Sequence, residues 1–182
     1  MGNDSGALDK SGSAIPADDL TRGLVVVEAK DARLPHIGLV GDTYTVLLSG
    51  KDTAGRFCLV DMHIPPGGGP PPHRHDFEES FIVLEGELEA HFRGESSVVR
   101  AGSTVHIPAN APHQFRNASN APVRLLCICA PAGQEEFFAA VGVMVETRTT
   151  PPPVLDDEAQ AKFREKAGAL AGQYRTEFLK QA

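Results

Sequence analysis

No run of residues approaches the eighteen or so apolar positions that a membrane-spanning helix needs, so no span is expected. Positive charge is in short supply. Seventeen Lys and Arg against twenty-four Asp and Glu leave a net charge of -7. The basic residues are scattered without a run or stripe, which argues against nucleic acid as the partner. The three cysteines (Cys58, Cys127 and Cys129) are odd in number and form no CxxC pair. That excludes a disulfide framework and a zinc-ribbon spacing. Cys127 and Cys129, two apart in LLCICA, read as buried apolar residues on one strand face. The opening MGNDSGALDK lacks the apolar core of a secretory signal, and Gly6 stands where a myristoylation motif wants Ser or Thr. The expectation is a cytoplasmic protein with neither membrane nor nucleic acid as partner.

What is present fits one domain. A chain of 182 residues with 41% hydrophobic content can bury one real core. Residues 1–22, rich in Gly, Ser, Asp and Ala, read as a flexible N-terminal arm. Residues 23–132 alternate short β-type runs (LVVVEA, TYTVLLSG, FCLVDMHI, SFIVLEG, ELEAHFRG, VRLLCICA) with Gly, Pro and Asn punctuation. Many short strands at regular spacing predict an antiparallel sandwich or barrel, an all-β fold. Residues 133–182 change texture. EEFFAAV predicts a short helix, TTPPPV a rigid connector, and residues 156–181 a helix with Phe163, Ala167, Leu170, Tyr174 and Phe178 on one face. This helical extension is expected to pack on the barrel. No internal repeat is visible.

The chemistry concentrates in HRHDFEES. His73 and His75 are two apart, so on a strand both imidazoles leave the same face. The stretch is either a polar loop or half of a metal site. Glu79 keeps the parity of the histidines, but four residues of flat strand span roughly 13 Å. Joining Glu79 to His75 on one ion therefore demands a bend within residues 76–78. The preceding PPGGGPPP would stiffen the entry and allow close approach. A further ligand should come from a facing strand, and His113 follows a Pro-Ala-Asn-Ala-Pro turn. Three imidazoles and a carboxylate leave open positions, which suits Fe, Mn, Co, Ni or Cu better than a closed zinc site.

The spacing resembles the cupin family. Its first motif, G(X)5HXH(X)3,4E(X)6G, is matched by Gly67, His73, His75, Glu79 and Gly86. Its second, G(X)5PXG(X)2H(X)3N, is similar to Gly102, Pro108, His113 and Asn117, with Asn110 in place of the motif's second glycine. Nine of ten fixed positions agree. Asn tolerates a left-handed backbone, so the turn is expected to survive. The resemblance implies a double-stranded β-helix, or jelly-roll, barrel, with His73, His75, Glu79 and His113 holding one divalent transition metal per chain (Fe, Mn, Co, Ni, Cu or Zn). It also implies a homodimer.

The layout of a barrel plus helical extension resembles bacterial quercetin (flavonol) dioxygenases. It implies a dioxygenase acting on an aromatic or enol-containing small molecule, with Glu79 as ligand and general base. The alternatives are a non-redox cupin enzyme (isomerase, lyase or decarboxylase) and a non-catalytic small-molecule-binding cupin. Phe81, Val83 and Phe115 share parity with the ligands and are pocket candidates, and His63 is a weaker one. His106 reads as a strand position. His36 and His91 read as surface residues.

Overall fold

The computed structural model describes residues 15–180 of the chain. Residues 1–14 of the expected arm, with the whole opening segment read for signals, lie outside the described residues. The strands run in chain order: β1 (His36–Leu39), β2 (Asp42–Leu48), β3 (Cys58–Ile64), β4 (His73–His75), β5 (Glu78–Glu85) and β6 (Glu87–Phe92). They continue as β7 (Glu95–Arg100), β8 (Thr104–Ile107), β9 (His113–Arg116), β10 (Val123–Ala130), β11 (Val143–Met144) and β12 (Thr176–Phe178). Three helices join them: α1 (Gly50–Thr53), α2 (Gln134–Val141) and α3 (Asp157–Ala171).

One sheet has the order β11-β1-β2-β3-β10-β5-β8 and the other β12-β4-β9-β6-β7. Every pairing is antiparallel. The fold is an all-β double-stranded β-helix with a helical C-terminal extension.

Period-two patterning places the core. Along β10, Val123, Leu125, Cys127 and Cys129 are buried while the residues between them are half-buried. This strand lies between β3 and β5, so its inward face meets Val60, Met62 and Ile64 on one side and Phe81 and Val83 on the other. The opposite sheet contributes Leu88 and Phe115, and the Phe81 and Phe115 rings meet edge-on at 5.2 Å. Each fully buried aliphatic side chain here contributes about 1.5–3 kcal/mol.

The loop before β4 packs directly against β9. Gly69 has φ 126°, and a Cβ there would run into the Phe115 carbonyl oxygen. That position therefore admits glycine alone. Asn110 is left-handed at φ 68°, and its N–H donates to the His75 carbonyl at 2.6 Å. The turn survives without the motif's glycine.

Three expectations are corrected. LVVVEA forms no strand; Leu24 is 93% exposed and Val26 80%. β-propensity needs a partner edge, and the free side of β1 is taken by β11 from the C-terminal extension. The helix predicted through Phe178 ends at Ala171, a 3-10 turn spans Gly172–Tyr174, and Arg175 turns left-handed at φ 60°. Thr176–Phe178 then forms β12. Phe163 and Leu170 are half-buried and Ala167 fully buried, on a helix that packs against α2, the 3-10 turn and β12. Finally, His36 is 1% exposed; its Nδ1 pairs with the Thr45 hydroxyl at 2.8 Å.

Candidate metal centre

The bend demanded by HRHDFEES is a change of sheet. β4 ends at His75 in the smaller sheet, and β5 starts at Glu78 in the larger one. Asp76 and Phe77 carry the chain across the gap. His73 and His75 therefore face Glu79 from the opposite wall. β9 pairs with β4 at His73 and His113, which brings the third imidazole alongside.

Each imidazole is oriented by the same device. Nδ1–H of His73 donates to the Pro71 carbonyl, that of His75 to Phe77 and that of His113 to Ala111, each at 2.9 Å. A carbonyl can only accept, so Nδ1 carries a proton and Nε2 is the nitrogen that coordinates an ion once any proton it shares with Glu79 has left. The donor atoms of His73, His75, Glu79 and His113 all lie within 4.8 Å of one another, and all four residues are buried. Phe77 stacks flat on the His75 ring, with centroids 3.8 Å apart.

Electrostatics shows what the cluster wants. Oε2 of Glu79 lies 3.1 Å from Nε2 of both His75 and His113. Lone pairs and an anionic oxygen at that distance repel unless positive charge sits among them. Burial pushes the Glu79 carboxyl up, but its hydrogen bonds to His113 and His75 outweigh that and hold it well below the usual carboxylate range. Burial pulls His113 down, and the Glu79 contact more than reverses it. Burial, aided by the His113 charge, lowers His73 to about 4, so it stands neutral as a ready ligand. A divalent ion, with bonds of about 2.0–2.2 Å to such donors, supplies the missing charge in place of protons. The residues fit a metal.

The other oxygen of Glu79 has different company. Cys127 Sγ donates to Oε1 at 3.2 Å, Cys129 Sγ lies at 3.8 Å, and the two sulfurs are 3.6 Å apart. A contact with Cys129 lowers the Cys127 thiol, but burial and the Glu79 charge push it up to about 12.

Comparison with known proteins agrees with this geometry. The family model described as Cupin domain matches residues 60–129. The uncharacterized protein MJ1618 of Methanocaldococcus jannaschii is 32% identical over 104 residues, which cover 56% of this chain and 83% of that protein. The chain belongs to the cupin family. The quercetin 2,3-dioxygenase of Bacillus subtilis is 28% identical over 124 residues, 68% of this chain. The cupin chain spans 36% of that enzyme's length. Polyketide synthase CurC of Streptomyces cyaneus is 29% identical over 139 residues, covering 75% of this chain and 84% of that protein. A solved structure titled a predicted oxalate decarboxylase, from Thermotoga maritima, shares the fold at TM-score 0.53 and 22% identity, covering 58% of this chain and 98% of that one.

Within the cupin barrel, Phe81 and Val83 line a cavity with Leu88, Phe92, Val105 and Ile107. Ile107 is paired with Glu79 and Phe92 with His113, so the cavity adjoins the strands of two of the cluster residues, although none of the four lines it and His91, His106 and Gln114 complete its wall. Phe115 packs on Phe81 behind it. His63 is placed elsewhere. Cys129 is paired with both Cys58 and Glu79, so these three share the inner face. His63 has the opposite parity from Cys58 and sits among Asp61, Arg148 and Glu85. His106 is exposed beside Glu78 at 3.1 Å.

Two contributors had no readable signal. Phe77 sits in the sheet-changing link, where periodicity says nothing. β12 lies on β4, with Thr176 opposite His75 and Phe178 opposite His73. Its flanks are pinned by Arg175 to Asp76 at 2.6 Å and by Arg74 to Glu177 at 2.7 Å. The apolar spacing up to Phe178 read as helix and hid this strand.

Proposed function

We propose that this cupin is a metal-dependent dioxygenase acting on an aromatic or enol-containing small molecule. The observation that carries the reading is the buried cluster of three Nε2-presenting imidazoles and Glu79 beside an apolar cavity. When bound, a divalent ion (Fe, Mn, Co, Ni, Cu or Zn) would supply Lewis-acid activation of a substrate oxygen, and the redox-active ions among these would also give access to dioxygen. His73, His75, Glu79 and His113 would hold it.

Phe81, Val83 and Ile107 pack against an aromatic ring and exclude water from it. Glu79, kept deprotonated, takes the proton from a substrate hydroxyl at Oε2. The relatives' names support this class: quercetin is a flavonol, and polyketides are enolisable chains. We place the protein in the cytoplasm as a homodimer. Three free buried cysteines suit a reducing compartment, and the outer edges of β7 and β8 offer strand surfaces for a second copy.

Oxygen consumption with quercetin after reconstitution with each candidate ion tests the reading. Uptake with at least one ion is the expected result. Glu79→Gln protein that still holds metal should lose about 10²–10⁴-fold in rate. Turnover of an enol substrate without oxygen consumption would instead assign a non-redox cupin enzyme. Thermal stabilisation by ligand without turnover would assign a binding protein.

A further inference from the structure

Glu79 has two oxygens with chemically opposite neighbours. Oε2 faces imidazole nitrogens, whereas Oε1 faces two thiols. Cys127 and Cys129 are fully buried, point inward from β10 and lie side by side. The triangle formed by Oε1 and the two sulfurs has edges of 3.2, 3.6 and 3.8 Å. The circle through three such points has a radius of about 2.1 Å, matched to metal–oxygen bonds of about 2.0–2.2 Å and metal–sulfur bonds near ~2.3 Å. Cys58, the cross-strand partner of Cys129, is buried on the same face and available as a further sulfur.

We propose that Cys127, Cys129 and Oε1 of Glu79 form a second ion site, specific for thiophilic cations, with Glu79 bridging it to the imidazole site. Sulfur donors select soft ions, which the nitrogen-rich site does not favour over others. Charge supports the assignment. Two thiolates around a divalent cation are neutral together, so the ion enters the core without an unpaired charge. Each thiol releases its proton to solvent as its metal–sulfur bond forms, and no electrons change hands. The inference is independent of the dioxygenase reading, since it requires no substrate and no turnover.

Cadmium is the probe. Full-length protein, freed of metal and kept reduced, is titrated with Cd(II), with the ultraviolet thiolate-to-cadmium charge-transfer band, cadmium NMR and bound-ion stoichiometry as readouts. The wild type should take up about two ions per chain. It should show the charge-transfer band and a downfield, sulfur-ligated resonance beside an upfield nitrogen- and oxygen-ligated one. H73A/H113A should keep the band and the downfield resonance. C127S/C129S should lose both and fall to about one ion per chain. A wild-type spectrum with only the nitrogen- and oxygen-ligated resonance overturns the proposal, as does a charge-transfer band that persists in C127S/C129S. The wild-type resonances decide the matter even where a variant fails to fold.

Discussion

His113 reaches the cluster from β9, and its loss takes one of three imidazoles from a buried candidate metal site. His113→Ala is expected to lower the metal retained after dialysis from about one ion per chain to a small fraction, because one of four donor bonds is lost at a buried site. Elemental analysis measures this, and a retained cooperative melt shows that the barrel is intact. Full metal content in that variant would remove His113 from the ligand set. Asp42 makes a separate prediction at the same scale. Burial raises its carboxyl from 3.8 to about 7, against hydrogen bonds from the Tyr44 hydroxyl and the Gly69 N–H. Between those values the folded chain holds a proton that the unfolded chain has released. The Asp42 contribution to stability therefore falls as pH rises from about 4 to about 7 and is level above. Asp42→Asn removes that dependence, so the melting temperature of the variant relative to the wild type should climb across this range. A constant difference between the two melting curves from pH 4 to 8 would show that Asp42 ionises normally.

Elements decide how firmly the ligands are held. β4 is three residues long, and its outer edge is covered by β12 in register with both histidines. The C-terminal strand thus restrains His73 and His75 from behind. R175A/E177A removes the ion pairs to Asp76 and Arg74 that pin it. Exposed pairs contribute little stability, about 0.2–1 kcal/mol each. Metal affinity should respond more, falling by about 10–100-fold as outer-shell supports do, as measured by chelator competition. An unchanged affinity would show that β4 keeps its geometry without the strap.

At the scale of the whole molecule, the apolar core and the metal centre contribute separately. The interior around Val60, Ile64, Leu125 and Val83 is buried by apolar packing among side chains that are not metal donors, so the barrel is expected to stay folded after chelation. Binding to the folded state alone adds about 2.7 kcal/mol when free metal exceeds Kd a hundredfold. For a chain of this size that corresponds to roughly 5–10 °C in melting temperature. Calorimetry with and without chelator measures the shift. Unfolding on chelation would make the metal structural and remove the open coordination positions that an enzyme reading needs.

The amino-acid order alone determined the strands that carry strict alternation, β10 and β5 above all. It also picked out the four residues that the fold gathers into one buried cluster, His73, His75, Glu79 and His113, because they stand in two short local patterns. The left-handed turn at Asn110 was legible for the same reason. Partners distant in sequence were not. Whether LVVVEA became a strand depended on β11 taking the edge of β1. Whether Phe178 closed a helix or a sheet depended on the free edge of β4. His36 was buried because neighbouring strands enclosed it, and Cys127 met Glu79 because β10 pairs with β5 in one register. Local patterning fixes backbone period and side-chain chemistry, whereas edges, burial and encounters between strands are set by long-range pairing.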